Sequence, residues 1–511
     1  MNANEMLSAT KGLARRVVRA AVATLAIGVC GLAGAAPTAE VADAAMRGDG
    51  DQLLSLLEHG ADANEAQGDG MTALHWAVTN QDVESARSLI YAGANVRATT
   101  RLNAVTPLWL AAQSGDAVMV YMLLDNKAEA DAPNGDGVTP LMIASASGNP
   151  DVVHILFERG ANPNAAERTY GQTPLMFAAA NNEADVIAVL VEKGADVAAA
   201  TKVRTSSTSE PMGGLSALHY AVRQGNVDAV DALLDRGADI NQVSADNTTP
   251  LMLATINGQF DLAMHLLERG ADATIATTAG GTPLYRVVDL QWAPRSAYPQ
   301  PPAARQQKTG YLALMKALLD RGADPNARLH KALWYTRFGA GAEGVDPSGA
   351  TPFWRAAEAG DADAMRLLVA HGADPAIKTV EGVSPLMVLA GAGYRGSDEA
   401  TVPAGRMPAL RYLVEELHAD VNETDVKAGE SQKKTDQINT RGYTPIHNAA
   451  ARGDNEMILY LVSKGGRVDL VGKNGITSLD MVSAEHAEPY PETIKLLETL
   501  GVKRSRRCTA C

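Results

Sequence analysis

The residues best equipped for chemistry are Cys508 and Cys511, spaced Cys508-Thr509-Ala510-Cys511 directly behind the basic run Lys503-Arg504-Ser505-Arg506-Arg507. Neighbouring cations favour a thiolate, so the pair suits thiol–disulfide exchange or a simple terminal disulfide. With a histidine added, the same spacing attaches c-type haem through two thioethers, the imidazole binding iron. No histidine follows Cys511, so that site is incomplete as written. Two thiols also fall short of the four ligands that structural zinc takes. An inert tail, a redox or tethering pair and a shortened haem motif are the readings these residues leave open.

Elsewhere the chemistry is sparse. The ten histidines are scattered, and the two nearest, His59 and His75, lie 16 residues apart, so no helical two-His ligand pair exists. Gly-x-Ser-x-Gly, His-Glu-x-x-His and Gly-x-x-x-x-Gly-Lys are all missing from the sequence. The expectation is a non-enzymatic protein with no resident cofactor and no metal. One aromatic cluster, Trp334-Tyr335-x-x-Phe338, stands out in a chain that is only 5% aromatic. It is either a local packing knot or an exposed anchor for a partner.

The elements that must carry these residues repeat. Thr72, Thr106, Thr139, Thr173, Ser216, Thr249, Thr282, Thr351, Ser384, Thr444 and Thr477 open similar stretches, seven of the ten intervals being 33 or 34 residues. One stretch runs from Gly137-Val138-Thr139-Pro140-Leu141 through Gly148 and the apolar pair Ile155-Leu156 to Gly160-Ala161-Asn162-Pro163-Asn164. Thr before Pro suits a helix entrance, because proline fits the first turn, where its missing N–H costs nothing. Gly148 and its counterparts permit a tight turn between antiparallel helices, and Gly160 and its counterparts a left-handed cap. Self-similarity at this period means stacked two-helix units, each burying its apolar face on its neighbours.

These features resemble the ankyrin repeat, whose pattern is G-x-T-P-L-H-x-A-A, a V-x-x-L-L helix and G-A-D-x-N. The resemblance implies an all-α solenoid of about twelve helix–turn–helix units joined by hairpin loops, spanning residues 36–500. It includes a degenerate leading unit at Ala39–Asn64 and an irregular last one. Insertions fall at 201–211, 291–310, 329–345, 394–408 and 426–439, and residues 501–511 form the basic tail. His75, His219 and His447 fill the fourth place of the opening motif, where the family uses histidine to tie adjacent loops. Where Met142, Met176, Met252, Met387, Trp109, Trp354 or Tyr285 stands instead, apolar packing is expected.

The resemblance further implies recognition of a protein partner through the concave side, by residues just before Thr-Pro and just after Ala-Ala. Those places hold Asp69, Met71, Val105, Gln113, Val138, Tyr170, Gln172, Arg223, Gln224, Asn247, Asn257, Glu358, Tyr443 and Arg452. Trp334, Tyr335 and Phe338 join them as a candidate anchor. The alternative is an exported electron-transfer or thiol-redox protein working through Cys508 and Cys511. With 45 basic and 59 acidic residues, the chain is unsuited to general nucleic-acid binding, which rests on phosphate neutralisation by Lys and Arg.

Residues 1–35 read as a signal peptide. Lys11, Arg15, Arg16 and Arg19 precede an uncharged stretch from Ala20 to Ala36, and Ala33-Gly34-Ala35 offers small residues for cleavage. Cleavage near Ala35 leaves 41 basic against 58 acidic residues, a net charge of −17. The expected product is a monomer in the bacterial periplasm or medium, not stably inserted in the membrane; an uncleaved anchor is the alternative. Residues 1–40 fused to a reporter active only outside the cytoplasm are expected to give activity, with the mature chain starting at Ala36. Reporter activity confined to the cytoplasm would refute the export reading.

Overall fold

The structure, a computed structural model, describes residues 39–206, 209–292, 306–331, 333, 345–392, 405–425, 442–472, 475–482 and 490–505. Among the described residues twelve helix pairs follow one another, from Glu40–Arg47 with Gly50–Glu58 to Ser478–Met481 with Pro491–Thr499. The first member of each pair is the inner helix, opened in all but the leading unit by the Thr or Ser of the repeat. The Thr106 hydroxyl, for example, accepts the Trp109 N–H at 3.1 Å, while Pro107 occupies the first turn. This side-chain cap satisfies a donor that the helix cannot, and its loss typically costs about 1 kcal/mol.

Every inner helix packs on the inner helix of the next unit, across all the insertions. The motif leucines Leu74, Leu108, Leu141, Leu175, Leu218, Leu251 and Leu284 are at most 1% exposed, and the Ala pairs 111–112, 178–179, 356–357 and 449–450 are fully buried. Small side chains at those pairs let the helices approach closely. The outer helices contribute Leu89, Leu123, Leu156, Leu190, Leu233 and Leu266, likewise fully buried. The core is therefore one continuous seam between two helix layers, extended unit by unit. The turn between paired helices needs a left-handed residue: Gly148 supplies it at φ 79°, and Asn182 takes over in the next unit at φ 66°.

Polar ties lock each hairpin to the next. The His75 Nδ1 accepts from the Thr72 hydroxyl at 2.8 Å, while Nε2 reaches the Val105 carbonyl of the following unit at 3.1 Å. His219 does the same between Ser216 and Thr248, and His447 between Thr444 and Ile476. A carbonyl only accepts, so Nε2 carries the proton and Nδ1 is the acceptor. Trp354 departs from the expectation of purely apolar packing: its indole N–H donates to the Val383 carbonyl at 3.1 Å, replacing the histidine's tie. Trp109 follows that expectation, with no hydrogen-bond partner for its indole nitrogen among the described residues.

A second ladder runs along the hairpins through the asparagine that ends G-A-D-x-N. Asn164 donates to the Gly194 carbonyl at 3.0 Å and accepts the Asp196 N–H at 2.7 Å, one unit on. Asn64, Asn326 and Asn422 repeat both bonds with Gly93 and Asn95, Gly372 and Asp374, and Gly465 and Arg467.

The insertions are absorbed without breaking the stack. Thr201–Pro211 extends its hairpin into an antiparallel ribbon, Arg204–Ser206 paired with Ser209–Met212. The junction between the units of Thr282 and Thr351 is held by a buried ionic network. Arg286, fully buried, pairs with Asp289, which also accepts from Arg355 Nε at 3.0 Å, and Arg355 reaches Glu358 at 3.3 Å. Burial works against the Arg355 charge, but Glu358 and Asp289 more than restore it. Asp361 accepts from the Trp292 indole and the Tyr311 hydroxyl, each at 2.8 Å, closing the same junction.

Burial holds the imidazoles of His75, His219 and His447 below the usual histidine range, against the opposing pull of their carbonyl partners. An unfolded histidine titrates near 6.5, roughly, so on acidification the unfolded chain takes up protons first. The stability these groups contribute is fully present above about pH 6.5 and falls below it, each site losing up to about 1.4 kcal/mol per pH unit until its own native value is reached. The urea midpoint is expected to drop between pH 7.5 and 5.5, with a shallower drop in the His75→Gln/His219→Gln/His447→Gln variant. A wild-type midpoint flat across that window would contradict the neutral assignment. Asn164→Ala is expected to cost about 1–3 kcal/mol for its two lost bonds and to speed hydrogen exchange at the Asp196 amide; unchanged exchange there would remove the ladder's structural role.

Candidate functional site

The residues expected to recognise a partner divide into three groups. Several are half-buried but spent on structure. The Asp69 carboxylate accepts the Met71 N–H at 2.9 Å, and its carbonyl accepts the Arg101 N–H. Val105 and Val138 pack against the core with Met71, and the Val105 carbonyl serves His75. Asn247, at φ 63°, turns its side-chain amide to the Ala276 carbonyl, and Asn257 donates to the Arg223 carbonyl at 3.4 Å. Glu358 belongs to the buried network through Arg355. Gln113, Gln224 and Arg452 are half-buried in or next to the last turn of their inner helices.

Tyr443 is more enclosed than its counterparts before Thr106 and Thr139. It is only 8% exposed, stacked on His447 with ring centroids 5.6 Å apart, and its N–H is held by Asp425 at 2.6 Å. A ring so placed supports the histidine beneath it. The anchor residues Trp334, Tyr335 and Phe338, the pair Cys508 and Cys511, and the signal segment 1–35 all lie outside the described residues.

Tyr170, Gln172 and Arg223 form the third group, because the fold brings them together. Gln172 precedes Thr173, where the helix Pro174–Asn181 begins, and its amide donates to the Tyr220 hydroxyl at 2.8 Å. Tyr220 lies on the next inner helix, Ala217–Gln224, and Arg223 folds back so that its guanidinium stands 4.6 Å above the Tyr220 ring. The ribbon brings Arg204 over Tyr170 at 4.4 Å, with one guanidinium nitrogen fixed on the Thr169 carbonyl at 2.8 Å. Burial raises the Tyr220 hydroxyl above the ordinary phenol range and lowers the Arg223 guanidinium from its own. Two cations over two aromatic rings, one of them fixed by the Gln172 amide, make a preformed polar platform.

Sequence reasoning missed Tyr220 and Arg204. Tyr220 sits one place after the motif histidine, a position that reads as core, and Arg204 lies in a stretch that reads as polar loop. Among the described residues no group of three or more His, Cys, Asp or Glu side chains is arranged to hold a metal, and no helix is long and apolar enough to cross a membrane. On the opposite face, an open groove between outer helices is lined by Ile90, Tyr91, Val118, Tyr121 and Met122.

The family models agree with this repeat architecture. The model described as "Ankyrin repeats (3 copies)" matches overlapping segments from residue 41 to 277, and the single "Ankyrin repeat" model matches 348–380 and 441–473. The chain is 29% identical over 120 residues to the "Ankyrin repeat and SAM domain-containing protein 6" of Rattus norvegicus, and 28% over 120 residues to that of Mus musculus. Each match covers 24% of this chain and 10% of the relative, so the chain aligns with only a tenth of those proteins' length. Among solved structures it is similar to the ankyrin repeat domain of human ASB11, at 27% identity and TM-score 0.39, covering 46% of this chain and 98% of that one. The repeat models together account for more than half of the sequence, and the chain belongs to the ankyrin-repeat family.

Proposed function

We propose that this chain is an exported, non-enzymatic scaffold that binds a protein partner through its inner helices and hairpins. The observation that carries the reading is the stack itself. Every inner helix rests on the next, and the hairpins between them are tied by histidine and asparagine side chains. Such a surface is rigid before it meets a partner, so little ordering entropy opposes binding. Half-exposed side chains such as Gln113 and Gln224 stand in the last turns of its inner helices. The segment 1–35 supports delivery to the periplasm or medium, and Trp334, Tyr335 and Phe338 are the candidate anchor.

The test is affinity capture from periplasmic and extracellular protein, with the mature chain immobilised. Gln113→Glu/Gln224→Glu is expected to weaken retention of the captured partner at least about tenfold, the scale of introducing an unpaired charge into an interface. Trp334→Ala/Phe338→Ala is expected to do the same. Val118→Glu/Tyr121→Glu, on outer-helix positions that are 60% and 52% exposed, is expected to leave retention unchanged. Loss only in the outer-helix variant would move the binding face to the groove there. Unchanged capture by all three would defeat the scaffold reading.

A further inference from the structure

Among the described residues Arg223 has no carboxylate partner. Its Nε is buried with no hydrogen-bond partner, and no carboxylate lies within 4.0 Å of its guanidinium among the described residues. On two later inner helices Arg286 and Arg355 are both paired with acids. Arg223 is instead held over Tyr220, which Gln172 fixes from the neighbouring unit. The nearby acid, Glu167, is 4% exposed and turned into its own hairpin, where its oxygens accept the N–H groups of Thr169, Tyr170 and Gln172. Beside this cluster Arg204 is stacked on Tyr170 and is exposed.

A half-buried guanidinium facing no acid among the described residues is costly, because Tyr220 offsets its desolvation only in part. It stays partly open to solvent, and its planar fork matches a carboxylate in two parallel hydrogen bonds. The half-buried Tyr170 beside it adds apolar contact for the chain that carries the acid, while Tyr220, 5% exposed, serves to hold Arg223 in place. In a molecule of net charge −14, a local pair of cations also steers an acidic segment to this one place.

We propose that the platform of Tyr170, Gln172, Arg204, Tyr220 and Arg223 is the specificity subsite of the scaffold, taking an Asp or Glu side chain from an extended acidic segment of the partner protein. Arg223 receives the carboxylate, and Arg204, positioned by the inserted ribbon, receives a second acid or widens the field. This assignment rests on the scaffold reading and adds to it the chemistry of the partner. The inserted ribbon thereby has a binding role, since it delivers Arg204 to a ring that the preceding unit presents.

A random dodecapeptide library displayed on phage, selected on the immobilised full chain, tests it. Enriched peptides are expected to share an Asp or Glu. A synthetic copy of the best one should bind about 10- to 100-fold more weakly when that acid is changed to its amide, or when Arg223→Gln is the bait, the worth of a charge-assisted hydrogen-bonded pair. Arg204→Gln, on the exposed ribbon, should weaken it several-fold, and it decides the matter should Arg223→Gln fail to fold by circular dichroism. Enriched peptides without an acid, or acidic ones bound within twofold by the variants, would overturn the subsite and leave the scaffold standing. A fluorescent dT20 bound more tightly than the peptide, and lost in Arg223→Gln, would overturn it in favour of a phosphodiester. A library yielding no binder, together with capture indifferent to Gln113→Glu/Gln224→Glu, would remove both readings.

Discussion

The stacking of one inner helix on the next is the interaction on which everything else rests. No unit of about 33 residues can bury both faces of its helix pair alone, so its stability resides at the two junctions it shares. The close Ala pairs set the spacing of those junctions, and the capping threonines set where each helix starts. The imidazole and asparagine ties then fix the hairpins in register. Take away the apolar seam and none of these polar groups has a partner to reach.

That dependence explains why the array accommodates so much added chain. Lengthening a surface loop costs little, because closure entropy grows only slowly with length, provided the junction beneath it stays intact. The ribbon at residues 204–212 lengthens one hairpin and leaves the adjacent inner helices in contact. Additions of this kind are where a regular stack gains a distinctive surface, and here the addition carries an arginine onto a tyrosine of the unit before it.

The architecture was legible because its determinants are local and recur. Thr-Pro starts a helix, Gly or Asn ends or turns it, and leucines at fixed places give the seam. The three motif histidines could be read from position alone. What could not be read were features set by a neighbour one unit away. The last asparagine of G-A-D-x-N looks like an ordinary turn residue until the next hairpin supplies its carbonyl. Tyr443 occupies the same place as the half-exposed Val105 and Val138, yet it is enclosed because Asp425 and His447 hold it. Tyr220 follows a motif histidine and so reads as filler, although its hydroxyl and ring organise Gln172 and Arg223. Trp354 reads as apolar, and only the Val383 carbonyl reveals its donor role.

The ionic knot between the units of Thr282 and Thr351 has an evolutionary corollary. Arg286, Asp289 and Arg355 are enclosed together, and deleting one charge strands the others in a low-dielectric interior at a cost of about 3–5 kcal/mol. A lineage can exchange the trio for well-fitted aliphatic groups with little penalty, but only by passing through such a stranded intermediate. These three positions are therefore expected to drift as a set, while the loops on either side of the same junction vary freely.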